Sequence, residues 1–187
     1  MPSSLILIGG SVRSGKSALA LALARKAEGR LVYLATGEEV DEEMRARIAR
    51  HRKDRGTGFE TLEEPVDILG ALGRCQGAGC VVVDCLTFWV SNLLLRGEWP
   101  EAILERAEAV RAFLAKRPFP VILVTNEVGM GVVPENALTR AFRDACGQVH
   151  QLFSREADEV YFAAMGTMLR LKPGPVEAVQ PPQEGRA

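Results

Sequence analysis

Short runs of apolar residues recur along the chain, and longer stretches with apolar positions at helical spacing separate them. The runs cover residues 5–8, 31–34, 80–83 and 121–124 and are rich in β-branched side chains. Runs this short and continuously apolar are typical of strands buried on both faces, as in a parallel sheet. Two more strands are predicted at residues 159–164 and 168–171, with Gly166 as the turn of an antiparallel edge hairpin.

The stretches between the runs predict five helices. They cover residues 18–26, 42–52, 87–95, 101–116 and 138–156. Alternating strands and helices favour an α/β domain with a mostly parallel sheet flanked by helices. Residues 173–187 are rich in Pro, Glu and Gln and lack an apolar period. We therefore expect one domain over residues 1–172 and a mobile tail over residues 173–187.

The composition is that of an ordinary globular protein. The 187 residues are 47% hydrophobic and 25% charged, with a formal net charge of −1, which argues against a dedicated nucleic-acid binder. Residues 5–8 are too few to cross a bilayer, and no basic leader precedes them. We expect a cytoplasmic protein without membrane insertion. The four cysteines lack the paired CxxC spacing of a zinc site.

The segment between the first predicted strand and the first predicted helix matches the phosphate-binding loop GxxxxGK[ST]. It comprises Gly10, Ser11, Val12, Arg13, Ser14, Gly15, Lys16 and Ser17. The glycines let backbone N–H groups surround phosphates, Lys16 supplies charge to the β and γ oxygens, and the Ser17 hydroxyl suits Mg²⁺. The following helix N-terminus adds its dipole to the anion site. This context predicts a P-loop-type domain that binds a nucleoside triphosphate.

Polar residues end two other predicted strands, at the edge of the sheet where ligands bind in open α/β folds. Asp84 follows residues 80–83 and is the expected partner of Ser17 in holding Mg²⁺. Thr125, Asn126 and Glu127 follow residues 121–124 and are candidate site residues by position, although a capping turn fits the last two equally well. His150 falls within a predicted helix, where a structural role is favoured.

A basic segment over residues 45–55 surrounds the chain's other histidine. On a helix, Met44, Ile48 and His51 share one face, with Arg47 beside His51. The pattern alone leaves two interpretations open. In one, the segment is a solvated basic face with His51 at its edge. In the other, neighbouring arginines bind phosphates and keep His51 neutral, so that its imidazole is a nucleophile.

Taken together, these segments resemble the bifunctional adenosylcobinamide kinase/adenosylcobinamide-phosphate guanylyltransferase family of cobalamin biosynthesis. The resemblance runs from about residue 5 to residue 172 in the family's order. Its most specific stretch is residues 125–135; it also includes the phosphate-binding loop and residues 33–36, 43–51, 84–87 and 92–94.

The resemblance implies an enzyme that uses GTP and Mg²⁺ in two reactions. Adenosylcobinamide is phosphorylated with GTP, or with ATP, and GMP is then transferred from GTP onto that phosphate with release of pyrophosphate. By the same resemblance, His51 carries GMP covalently, Lys16 assists catalysis, and the protein is a homotrimer. It further assigns nucleotide contacts to Thr36, Gly37 and Glu38, to Arg52, Lys53, Asp54 and Arg55, and to Glu63 and Asp84.

The chain departs from the family pattern at several positions. Ser11 and Val12 stand where Gly-Ala is usual, His150 where Asn is usual, and Met168 where Pro is frequent. The sequence contains no NKxD motif, the motif with which GTPases recognise guanine. The preference for GTP therefore rests on the resemblance. Two other functions stay open: a plain P-loop kinase of small molecules in which His51 takes no part, and a nucleotide-binding regulator.

Overall fold

A sheet of eight strands forms the centre of the computed structural model, which describes residues 4–39 and 41–179 apart from the side chains of Arg47 and Asp54. The strands are β1 (Leu5–Gly10), β2 (Leu31–Ala35), β3 (Glu60–Glu63), β4 (Cys80–Asp84), β5 (Val121–Val124), β6 (Glu159–Ala164), β7 (Thr167–Lys172) and β8 (Glu177–Val179). Their order across the sheet is β3-β2-β4-β5-β1-β6-β7-β8. The strands from β3 across to β6 pair in parallel, whereas β7 and β8 are antiparallel. The mostly parallel α/β domain is therefore confirmed.

Helices cover both faces of this sheet. They are α1 (Lys16–Ala24), α2 (Glu42–Arg55), α3 (Ile68–Gly73), α4 (Leu86–Leu95), α5 (Pro100–Leu114) and α6 (Ala137–Glu156). Alternate residues of each central strand belong to two separate apolar clusters, as a two-residue side-chain period requires. The cluster on one face contains side chains of α3, α4, α5 and α6. The cluster on the other face contains α1 together with Phe59.

The structure adds two strands and one α-helix that the apolar pattern does not predict. β3 is an edge strand in which only Leu62 is half-buried, so it shows no apolar run. α3 has six residues, two of them glycines, which is too short for a helical period. β8 has three residues, mostly exposed. Consequently, the predicted hairpin of β6 and β7 is not the sheet edge, because β8 pairs with β7.

Strand β8 lies within the segment expected to be a mobile tail. Residues 180–187 of that segment lie outside the described part of the chain, and the division into a domain and a tail stays a prediction. Across the described ranges, no helix combines the length and the apolar character needed to span a membrane.

Candidate active site

The C-terminal strands hold the phosphate-binding loop in shape. Gly10 has a φ of 139°, and a Cβ there would lie 2.2 Å from the carbonyl oxygen of Ala163 in β6, so only glycine fits. Gly15 has a φ of 87°, and a Cβ there would lie 3.3 Å from Cε of Met168 in β7. Arg13, with a φ of 55°, turns the backbone between these glycines. β6 and β7 therefore support the loop from one side.

Lys16 reaches back across the loop. Its Nζ donates to the Ser11 carbonyl oxygen at 2.5 Å and to Ser14 Oγ at 3.3 Å, and Ser14 Oγ donates to the same carbonyl at 2.7 Å. Lys16 is only 6% exposed. A phosphate oxygen carries more negative charge than a carbonyl oxygen and makes the stronger hydrogen bond to an ammonium group. A bound triphosphate would therefore compete for this amine, which already lies within the loop.

Asp84 lies at the end of β4 beside the loop. One of its carboxylate oxygens, Oδ2, accepts from Ser17 Oγ at 3.0 Å and from the Tyr33 hydroxyl at 2.5 Å. Burial, together with the Asp84 charge, raises the pKa of Tyr33 far above its usual range, so Tyr33 remains a donor.

The oxygen donors Ser17 and Asp84 suit Mg²⁺, which proteins bind through one or two carboxylates while substrate phosphates supply further ligands. Within the described residues, no group of three or more His, Cys, Asp or Glu could hold a metal ion. The fold therefore brings Ser17 and Asp84 together as predicted. The phosphates of a nucleotide would have to supply the further ligands of a metal ion.

Helix α2 packs against the chain that follows β2. A Cβ on Gly37 would lie 3.7 Å from Ile48 Cδ1 and 3.9 Å from Met44 Cε, so these two side chains face Gly37. Asp41 caps the helix by accepting from the Met44 N–H at 2.7 Å. His51, one turn further on, is half-buried. The face that the spacing predicts thus lies toward the carboxyl end of the sheet.

Two arginines next to His51 fix the end of α2. Arg52 forms an ion pair with Glu63 at the end of β3, and this hydrogen bond raises the pKa of Arg52. Arg55 is 4% exposed, and its guanidinium carbon lies 4.0 Å from the ring centroid of Tyr33. Burial lowers the pKa of Arg55, and its Nη1 is buried without a hydrogen-bond partner among the described residues. An oxygen of a bound nucleotide would satisfy this donor.

The segment after β2 is braced from several sides. Thr36 Oγ1 donates to the Cys85 carbonyl oxygen and accepts from the Cys85 N–H, both at 2.7 Å, which joins the ends of β2 and β4. The Thr36 carbonyl accepts from Asn92 Nδ2 at 2.8 Å, and Glu38 pairs with Arg96 at 2.7 Å. Thr36 therefore supports the site from within the fold, while its predicted contact with a nucleotide stays a prediction.

The remaining predicted contacts differ in their surroundings. Val12 is 61% exposed at the loop tip, and Lys53 is exposed on α2. The side chain of Asp54 lies outside the described residues. Ser17 and Tyr33 each bond to Asp84. His51 is connected to this group through its own helix, because Arg55 stacks on Tyr33.

Sequence reasoning overlooked Tyr33 and assigned His150 a structural role. His150 is largely buried, with Nε2 2.6 Å from Thr125 Oγ1 and Nδ1 3.9 Å from Glu127 Oε2. Burial lowers the pKa of His150, and the Glu127 carboxylate opposes that shift only in part. His150 stands where the family usually has Asn, and this departure is the feature of the sequence that distinguishes His150 from an ordinary helix residue. No feature of the local sequence distinguishes Tyr33 from the other residues of its strand.

Comparisons with known proteins show the family to which the chain is similar. A family model described as cobinamide kinase / cobinamide phosphate guanyltransferase matches residues 6–171. The bifunctional adenosylcobalamin biosynthesis protein CobP of Pseudomonas aeruginosa is 41% identical over 171 residues, which is 91% of this chain and 98% of that protein. The corresponding protein CobU of Salmonella typhimurium is 39% identical over 182 residues, covering 90% of this chain and 99% of that protein.

Among solved structures, the RadB recombinase shares the fold. Its TM-score is 0.53 at 16% identity, covering 96% of this chain and 87% of that chain. A likeness at this identity concerns the architecture alone.

Proposed function

The chain belongs to the cobinamide kinase / cobinamide phosphate guanyltransferase family, and from this premise we propose that it phosphorylates adenosylcobinamide and then transfers GMP from GTP onto the new phosphate. Three relatives at 36–41% identity over nearly their full length are named as bifunctional proteins of adenosylcobalamin biosynthesis. The observation that carries the proposal is the series of contacts that runs from Ser17 of the loop through Asp84 and Tyr33 to Arg55 of the histidine helix.

In the kinase reaction the loop would position the triphosphate of GTP or ATP. Ser17 and Asp84 would hold Mg²⁺, which, when bound, neutralises charge on the phosphate oxygens. Lys16 would exchange its contact with Ser11 for one with the β and γ phosphates, and Arg13 at the loop tip would meet the charge that develops on the transferred group. Positioning and electrostatics supply most of the rate in this class of reaction.

In the transferase reaction, neutral His51 would attack the α-phosphorus of GTP and release pyrophosphate. An oxygen of adenosylcobinamide phosphate would then displace the histidine, which splits one difficult displacement into two. Nucleophilic attack requires a fixed imidazole. Because Arg52 and Arg55 are anchored to Glu63 and Tyr33, the last turn of α2 is held at the edge of the sheet.

The loop after β5 offers a surface for the large corrinoid acceptor. Met130, Val132 and Val133 are 79%, 93% and 61% exposed, and this segment begins where Glu127 bonds to the first residue of the phosphate loop. Exposed apolar side chains gathered at a site mark ligand or protein contacts. We place the corrin ring here. The homotrimer and the cytoplasmic location stay predictions.

The substitution His51→Ala tests the nucleophile. With GTP labelled at the α-phosphorus, the wild-type protein should become labelled, and the variant should lose both labelling and GMP transfer while still binding nucleotide through its intact loop. The label should be lost in acid and kept in alkali, as a P–N bond requires.

Arg50→Ala is a matched control, because Arg50 is an exposed basic residue of the same helix adjacent to His51. It should keep its labelling. Undiminished labelling of His51→Ala would refute the assignment. A plain kinase would never become labelled, and a regulator would turn over neither nucleotide.

A further inference from the structure

The tip of β5 lies between the two parts of the site that handle phosphate and metal. β5 is flanked in the sheet by β1, which leads into the phosphate loop, and by β4, which ends at Asp84. The Thr125 N–H donates to the Ile8 carbonyl and the Glu127 N–H to the Gly10 carbonyl, both at 2.9 Å. The backbone of Glu127 is therefore fixed to the base of the phosphate loop.

Neighbouring contacts hold this tip in place. Asn126 Nδ2 donates to Thr87 Oγ1 at 3.1 Å, toward the end of β4. Thr125 is 2% exposed and contacts His150 at 2.6 Å on the α6 side. Thr125 and Glu127 thus both lie beside His150, and Glu127 is the nearest of the three in the chain to the open loop that follows β5.

Unlike Glu38 and Glu63, the Glu127 carboxylate has no arginine partner within the described ranges. Glu38 pairs with Arg96 and Glu63 with Arg52. Within the described ranges, the ion-pair partner of Glu127 is His150, at 3.9 Å. Because burial favours the neutral form of that imidazole, it does not neutralise the carboxylate.

One oxygen of this carboxylate is held while the side chain stays open to solvent. Oε1 accepts from the Gly129 N–H at 2.5 Å, and 26% of the Glu127 side chain is exposed. A carboxylate that is fixed, partly open and unpaired with a cation can accept a proton from a bound molecule.

We propose that Glu127 is the proton acceptor of the phosphoryl-transfer reaction. The acceptor hydroxyl oxygen forms a bond to the γ-phosphorus, and the bond from that phosphorus to the β–γ bridging oxygen breaks, its electron pair leaving on the nucleoside diphosphate. The hydroxyl proton passes to Glu127 and then to solvent. This inference rests on the proposed function.

The second reaction does not need this base. Its acceptor is a phosphate monoester, whose second proton has a pKa of about 6 and is largely absent at neutral pH. Its nucleophile, His51, attacks with the lone pair of a neutral imidazole. Glu127 therefore serves one of the two reactions and not the other, which a substitution can reveal.

Glu127→Gln keeps the shape and removes the base. The turnover of adenosylcobinamide phosphorylation should fall by roughly 100-fold, the lower end of the contribution of a general base, with the KM for triphosphate unchanged. Labelling from α-labelled GTP and GMP transfer to supplied adenosylcobinamide phosphate should continue. Glu105→Gln, an exposed glutamate of α5 away from this loop, is the control and should keep both reactions.

Equal loss of both reactions, or an undiminished kinase rate, would overturn the assignment. If Glu127→Gln fails to fold, Glu127→Asp decides, because a retracted carboxylate should cost at least about tenfold in the kinase reaction and spare GMP transfer. A wild-type protein that is never labelled would refute the proposed function instead. The phosphorylation rates of the wild type and of Glu127→Gln would still test the role of Glu127.

Discussion

A single side chain, Tyr33, connects the Asp84 carboxylate to helix α2. Its hydroxyl donates to Asp84 and its ring supports the guanidinium of Arg55. Burying a guanidinium is costly unless its donors are paired. Stacking on the ring contributes about 2 kcal/mol when the pair is desolvated, and Nη1 still lacks a partner among the described residues. A nucleotide whose oxygen accepts a hydrogen bond from Nη1 should therefore bind more tightly than a nucleotide that leaves this donor unpaired.

The burial of His150 should make the stability of the fold depend on pH. Burial lowers its pKa below the usual 6.5, so the unfolded chain takes up a proton more readily than the folded one. The stability contributed by the neutral imidazole is complete above that value and is lost as the pH falls toward the folded-state pKa. Between about pH 7 and pH 5, the urea midpoint of the wild type should fall more steeply than that of His150→Asn. Parallel slopes would contradict this.

At the scale of elements, strands β6 and β7 support the nucleotide site. The Ser11 N–H donates to the Ala163 carbonyl of β6 at 3.2 Å, and Gly15 packs against Met168 of β7. Strands that come last in the chain thus shape the loop that comes first, and damage to them should reach nucleotide binding.

Met168→Ala tests that support. Met168 is fully buried, so the cavity left by its side chain should lower the free energy of unfolding by about 2–5 kcal/mol and weaken nucleotide binding. Met165→Ala is the matched control, because Met165 is 100% exposed in the turn between the same strands and should change stability by no more than about 0.5 kcal/mol. Urea unfolding measures the free energy of unfolding of both variants. Equal losses of stability and of nucleotide binding in the two variants would mean that Met168 does not support the loop.

At the scale of the whole molecule, the proposed reactions would require a chain of 20.3 kDa to enclose a corrinoid acceptor. The exposed apolar side chains of Met130, Val132 and Val133 form an open surface, and ligand sites usually enclose most of their ligand. Neighbouring subunits would supply the missing walls.

The open surface favours an oligomer, and the family resemblance implies that this oligomer is a homotrimer. Light scattering coupled to size exclusion should give a mass about three times that of one chain, 20.3 kDa, at working concentrations. Adding GTP and Mg²⁺ should leave this mass unchanged. A mass of one chain would contradict the expectation and place the acceptor site within a single subunit.

The amino-acid sequence by itself determined the parallel sheet and the phosphate-binding loop. Both are local: strands buried on two faces must be continuously apolar, and the loop needs glycines, lysine and serine at neighbouring positions. Strands β3 and β8 could not be predicted, because edge strands in contact with solvent carry no apolar run.

Only the tertiary structure decided which side chains meet at the site. Tyr33 and Asp84 are 51 residues apart, and Thr125 and His150 are 25 apart, yet both pairs are in hydrogen-bond contact. Such contacts depend on strand order and on which face each residue takes, and neither follows from local spacing. That Glu127 has no arginine partner within the described part of the chain likewise became visible only in the fold.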